Sequence, residues 1–178
     1  MIYKNTIKSC FLYFLLIFTF LLLHELAHGI TAIIFGGEFK GIWLTSYFGF
    51  GEKTDNASAF AFYTCTDYNT SILCYRCVKV AGSLTAILSA LIVNYISRKK
   101  KNSIVFLATY TVIFSEILYW TLSPLLNFGD AYQLLQPLKI TNSVGILSFS
   151  LILFIILTYI SLSFTIAYKK LYFSIDKN

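Results

Sequence analysis

Apolar positions along the chain fall into four long runs, separated by short polar or basic stretches. Membrane-length helices are thereby predicted over about 11–35, 72–96, 103–126 and 144–167, each sufficient for a hydrocarbon layer of about 30 Å. The first run follows Lys4 and Lys8 and stops at Gly36-Gly37, a usual way to end a helix. Arg98-Lys99-Lys100-Lys101 stops the second, and Pro124 should kink or end the third. A short helix is expected at 131–136, before Pro137. Between the first two runs the pattern changes. Residues 39–50 and 57–66 are aromatic and β-branched around a turn-rich 51–56, which predicts a β-hairpin. The expected fold is an all-α polytopic membrane protein with about four transmembrane helices and a β-hairpin between helices one and two. With no internal repeat or soluble module, a single membrane-embedded domain over 1–178 is expected.

Composition supports this class. Hydrophobic residues make up 57% and charged residues 12%, about half the charged share of a soluble domain. The net charge of +6 therefore points to basic loops at a membrane face, not to nucleic acid. Residues 11–23 after a basic start have the length of a signal-peptide core. Apolar character resumes at 30–35, however, no small-x-small cleavage site follows, and cleavage would remove both histidines of the chain.

Those histidines carry the chemistry. His24-Glu25-Leu26-Ala27-His28 reads H-E-x-x-H inside the first apolar run. Four residues apart on a helix, His24 and His28 leave the same face one turn from each other, a spacing that lets two imidazoles hold one zinc ion (Zn2+). Glu25 lies beside them, where it can take a proton from a metal-bound water. The plain alternative is a pair of packed core histidines. Three ionisable side chains within one turn of a membrane span are costly, which favours a functional role.

The cysteines add less. Cys74 and Cys77 have C-x-x-C spacing, with Cys65 nearby and Cys10 in the first run, but no spare histidine completes a second zinc site. Reduced thiols are expected, with a disulfide among Cys65, Cys74 and Cys77 as the alternative. Asn56 and Asn69 each begin a glycosylation sequon, a pattern that often arises by chance.

From about Leu22 to Gln136 the chain resembles the site-2 protease-type intramembrane zinc metalloproteases. The likeness rests on H-E-x-x-H in a first membrane helix, a β-rich connection, and an Asn- and Asp-containing break after a third helix. It implies zinc held by His24, His28 and Asp130, Glu25 as general base, and Asn127 on the substrate or oxyanion side. The family's downstream motif reads N-x-x-P followed by D-G. Here the segment is Asn127-Phe128-Gly129-Asp130-Ala131, with compressed spacing, Pro124 upstream and alanine in place of the glycine. Glu116, the other carboxylate of the later spans, lies about 21 Å from Asp130 along a continuous helix, so one ion cannot use both. Asp130 as a cap for the helix at 131 remains the alternative.

The expected activity is zinc-dependent hydrolysis of peptide bonds in or near a transmembrane segment, with a membrane protein or peptide as substrate and the lipid bilayer as surroundings. The hairpin would receive the unwound substrate as an added strand. Glu116 is expected in an interhelical hydrogen bond. Two other classes stay open: a membrane metal-binding or transport protein, and a proteolytically inactive scaffold. The first would not need Glu25, and the second would not need zinc.

A multi-pass protein of the plasma membrane is expected, and its basic residues orient the chain. Lys4, Lys8, Arg98–Lys101, Lys169, Lys170 and Lys177 share one side of a four-span arrangement, against Lys40, Lys53, Arg76, Lys79 and Lys139. The positive-inside rule then places both termini in the cytoplasm and the hairpin outside. The family resemblance implies the opposite. Impermeant thiol labelling of whole cells should modify Cys65, and protection of Cys65 would reverse the orientation.

Overall fold

The computed structural model describes residues 2–43, 49–51, 62–65, 72–135 and 143–172. The fold is mostly helical. In chain order it comprises α1 (Ile2–Ile34), β1 (Phe39–Trp43), β2 (Gly49–Gly51), β3 (Phe62–Cys65), α2 (Ile72–Lys99), α3 (Ser103–Leu122), α4 (Gly129–Leu135) and α5 (Ser143–Tyr172). Among the described residues, α1, α2, α3 and α5 are long and apolar enough to cross a membrane. Both expected sequons, at Asn56 and Asn69, lie outside the described residues.

Two compact units divide the chain: Leu21–Ala86, and Met1–Phe20 together with Ile87–Asn178. The Leu21–Ala86 unit contains a three-stranded antiparallel sheet of order β2-β1-β3. Gly41 faces Gly51 across one ladder, and Ile42 faces Tyr63 across the other. A register shift interrupts the β1–β3 ladder between Phe39 and Gly41. The structure thus departs from the expected two-stranded hairpin. The stretch expected as one strand over 39–50 instead contributes two strands, β1 and β2, that pair with each other. Twelve residues exceed the usual strand of about 5–6, and Gly41, Gly49 and Gly51 let backbones lie close where a longer strand would need side chains to pack. At Gly51, with φ of 89°, a Cβ would stand 2.6 Å from the Gly41 Cα.

In the other unit, α3 and α5 pack antiparallel through aromatic rings. Phe106 stacks on Phe164 at 5.0 Å and Tyr110 stacks on Phe164 at 3.5 Å, while the Tyr110 hydroxyl donates to Ser161 Oγ at 3.0 Å. Polar side chains tie the remaining helices to α3. The buried Asn94 amide donates to Thr109 Oγ1 at 2.8 Å and Tyr13 donates to Thr111 Oγ1 at 2.9 Å, while within α2 Arg98 Nε donates to Asn94 Oδ1 at 2.9 Å and so orients that amide. Where surroundings are apolar, such bonds hold helices together because no water competes for the groups.

Three of the described turns after helices follow one solution. After α1, Gly36 takes a φ of 89° and the Gly37 N–H reaches back to the Ala32 carbonyl at 3.0 Å. After α2, Lys101 takes a φ of 51° and the Asn102 N–H reaches the Ser97 carbonyl at 3.0 Å. Past Leu122 the chain turns irregularly around the buried Pro124; Asn127 then has a φ of 57° and the Phe128 N–H bonds the Ser123 carbonyl at 3.0 Å. Each is a six-to-one closure around a left-handed residue, which satisfies carbonyls that helix ends leave over. Asn102 then opens α3 by accepting the Val105 N–H on Oδ1 at 3.2 Å.

Helix limits differ from expectation at several places; α2 runs on to Lys99 instead of 96 and α5 to Tyr172 instead of 167. α1 begins at Ile2 instead of 11, because nothing in 2–10 breaks a helix even though that stretch is more polar. α3 ends at Leu122 instead of 126, ahead of the proline. α4 begins at Gly129, two residues before the expected start.

Lysine is a poor occupant of a left-handed position. Lys101→Gly should stabilise the protein by about 0.5–1 kcal/mol, seen as a higher unfolding midpoint in detergent. A lower midpoint would contradict the left-handed geometry at this turn.

Candidate metal centre

The H-E-x-x-H segment lies in the second half of α1 and falls wholly within the Leu21–Ala86 unit. All three ionisable side chains are buried, with His28 1%, Glu25 6% and His24 7% exposed. Helical spacing brings the imidazoles together, with ring centroids 4.9 Å apart and planes at 69°. Their Nε2 atoms stand 3.1 Å apart. Two nitrogens on a tetrahedral zinc, each about 2.0–2.1 Å from the ion, would be about 3.3 Å apart. The pair is therefore close to the spacing that shared coordination needs.

The other nitrogen of His28 fixes its chemistry. Nδ1 lies 2.6 Å from the backbone carbonyl of Val78 on α2. A carbonyl only accepts, so Nδ1 is the nitrogen that donates, which turns Nε2 towards His24. This arrangement, an imidazole whose far nitrogen donates to a carbonyl, is the usual support of a metal-ligating histidine.

Room at the nitrogens depends on Gly82, one turn beyond Val78. A Cβ at residue 82 would stand 2.6 Å from Nε2 of His24 and closer still to Nε2 of His28. The two nitrogens thus share a space that any side chain at 82 would fill. A second glycine works on the opposite flank. Gly29 follows His28, and a Cβ there would overlap the Phe39 ring at the start of the sheet. Both nitrogens, their supporting carbonyl and the adjoining space are of a kind that could hold a metal ion.

Asp130 and Asn127 belong to the other unit. Asp130 is half-buried in the first turn of α4, with its N–H donating to the Tyr119 hydroxyl at 2.9 Å. Since α4 begins at Gly129, Asp130 does not occupy the N-cap position expected under the capping alternative. Asn127 is exposed, and its left-handed backbone closes the turn after α3. Glu116 is half-buried within α3. Cys10, Cys74 and Cys77 are free thiols, Cys74 buried and the other two exposed.

Sequence reasoning missed Val78 and Tyr119. Val78 acts through its backbone carbonyl, which leaves no mark on residue type, and Tyr119 is one of thirteen tyrosines. Gly82 left a partial signal, since Ala81-Gly82-Ser83 is a small-residue stretch suited to close helix approach. Comparison with protein-family models, curated proteins and solved structures gave no match.

Gly82→Ala should weaken zinc binding at least about tenfold, by analogy with the loss of other supports around metal ligands, while the helical content is kept. Chelator competition on the purified protein measures it, and parental affinity would show that the space beside Gly82 is not the metal position.

Proposed function

We propose that this chain is an intramembrane zinc metallopeptidase of the site-2 protease type, hydrolysing peptide bonds in or near transmembrane segments of a membrane protein or peptide. The observation that carries the reading is Glu25 buried within one turn of two imidazoles whose Nε2 atoms converge at 3.1 Å. Paired core histidines account for the hydrogen bond between rings, but not for a carboxylate kept beside them in an apolar helix.

His24, His28 and Asp130 are the ligand set proposed on the family resemblance. Two imidazoles and one carboxylate suit zinc with a fourth position open, the pattern of hydrolytic zinc sites. When bound, the ion supplies Lewis acidity to water and to the scissile carbonyl.

Glu25 does the proton work. It accepts a proton from the attacking water as the new C–O bond forms, then delivers it to the amide nitrogen as the C–N bond breaks. The Val78 carbonyl holds His28 by Nδ1 and leaves Nε2 as the nitrogen that would ligate the ion. Burial of Glu25, His24 and His28 excludes bulk water from the reacting groups.

A substrate helix must unwind before cleavage, and its freed backbone then needs partners. The sheet is proposed to provide them by strand addition. β1 is paired on both sides, so among the described strands β2 and β3 have an edge to offer. The bilayer of the plasma membrane is the proposed location, with four helices crossing it.

Glu25→Gln separates this reading from its rivals. It should lower cleavage of a membrane substrate by at least about a thousandfold, since a base is lost, while zinc stays near one per chain. A transporter would keep its flux in this variant, and a scaffold would work after zinc removal. Asp130→Ala should lose zinc and activity together, whereas Glu116→Gln should retain zinc. Proteolysis surviving in Glu25→Gln would sink the mechanism.

A further inference from the structure

The break between α3 and α4 is more tightly built than a connection requires. Within four residues it holds two left-handed positions, Asn127 with φ of 57° and Gly129 with φ of 76°. The first closes the turn after α3 through the Phe128 N–H and Ser123 carbonyl. At the second, a Cβ would overlap the Tyr119 hydroxyl and stand 2.8 Å from its Cζ. The ring of Phe128 lies 6.3 Å from that of Tyr119, tilted by 57°. Ser123 and Pro124, which begin the break, are fully buried.

These contacts converge on one backbone group. The first N–H groups of any helix have no acceptor within it, and a side chain at the N-cap usually supplies one. In α4 the first residue, Gly129, has a non-helical φ of 76° and so stands at the N-cap, where it brings no side-chain acceptor. The Tyr119 hydroxyl, eleven residues earlier on α3, takes the Asp130 N–H at 2.9 Å instead. Asp130 is thus pinned by its own backbone to a regular helix, with Gly129 leaving the space that lets the hydroxyl reach it.

We infer that Tyr119 is a positioning residue for Asp130, holding its carboxylate where a metal ion can use it. The inference rests on the reading of Asp130 as the third ligand. A carboxylate ligand must be kept within about half an ångström of its working place, which a short helix after an irregular break does not ensure by itself. One hydroxyl from a neighbouring helix supplies that constraint. Tyr119 itself touches neither substrate nor metal on this assignment.

The test is a double-variant cycle on zinc affinity, read by chelator competition on the full chain in detergent. Tyr119→Phe removes the hydroxyl and keeps the ring, and should weaken zinc about tenfold in the parent, the usual effect of losing a ligand's support. In an Asp130→Ala background, where the remaining affinity comes from His24 and His28, the same change should have no effect. Gly129→Ala keeps the tyrosine but crowds its hydroxyl, and should reproduce both results if Tyr119→Phe fails to fold. Equal losses in the two backgrounds would mean a general structural role and overturn the inference. Parental affinity in Tyr119→Phe would overturn it too, leaving Asp130 as a ligand. Parental affinity in Asp130→Ala alone would instead overturn the ligand reading on which it rests.

Discussion

The hydrogen bond from His28 Nδ1 to the Val78 carbonyl is the contact on which the rest of the centre depends. Spacing on α1 puts two imidazoles on one face, but it does not choose their tautomers or stop their rings from turning. A carbonyl has two lone pairs, so Val78 can accept from the imidazole beside the helical bond expected of it. That second bond gives His28 one protonation pattern and one ring orientation. It requires the backbone of α2 to reach the rings, which only the absence of a side chain at Gly82 permits. A histidine pair on one helix, proposed as metal ligands, is therefore completed by the backbone of another. Burial makes the bond count for more, because an imidazole N–H without a partner in apolar surroundings would lose its hydration uncompensated.

The same accounting governs the helix ends. A carbonyl left over at a helix end needs a partner, and at three turns of this chain the backbone itself supplies one. α1, α2 and the turns after α3 all finish with an N–H reaching back five residues across a left-handed residue, at Gly36, Lys101 and Asn127. Three different residue types serve one geometry with different ease. Glycine adopts it freely, asparagine tolerates it, and lysine does so against its preference. Asn127 thus has a structural task in closing this turn, independent of any part in catalysis.

How much of this could be read from the residues depends on which atoms act. The four long helices were visible as apolar runs, because burial or lipid contact is a property of side chains. Their margins were less visible: the apolar stretch starts at Phe11 but the helix starts at Ile2, since polarity does not end a helix and only a breaker does. The strand pattern over 39–50 hid a reversal, because alternation cannot tell one long strand from two short ones that fold back. The H-E-x-x-H spacing marked His24, Glu25 and His28, which the structure buries together. Val78 and Tyr119 act through a backbone oxygen and one phenolic hydroxyl, and neither is distinguished by spacing.

Sheet order adds a constraint on the proposed substrate that the ligands do not. With β1 paired on both sides, strand addition has two edges to choose from, and they differ in kind. β2 is three residues long, with Gly49 and Gly51 around Phe50. An incoming strand on that edge would gain backbone bonds and little side-chain selection, because pockets between side chains are what discriminate one strand from another. β3 has the sequence Phe62-Tyr63-Thr64-Cys65, four residues with substantial side chains and strong strand preference. Selection among substrates by strand pairing would therefore fall to β3. Pairing on β2 would accept any segment able to unwind, leaving selection to the ease of unwinding itself.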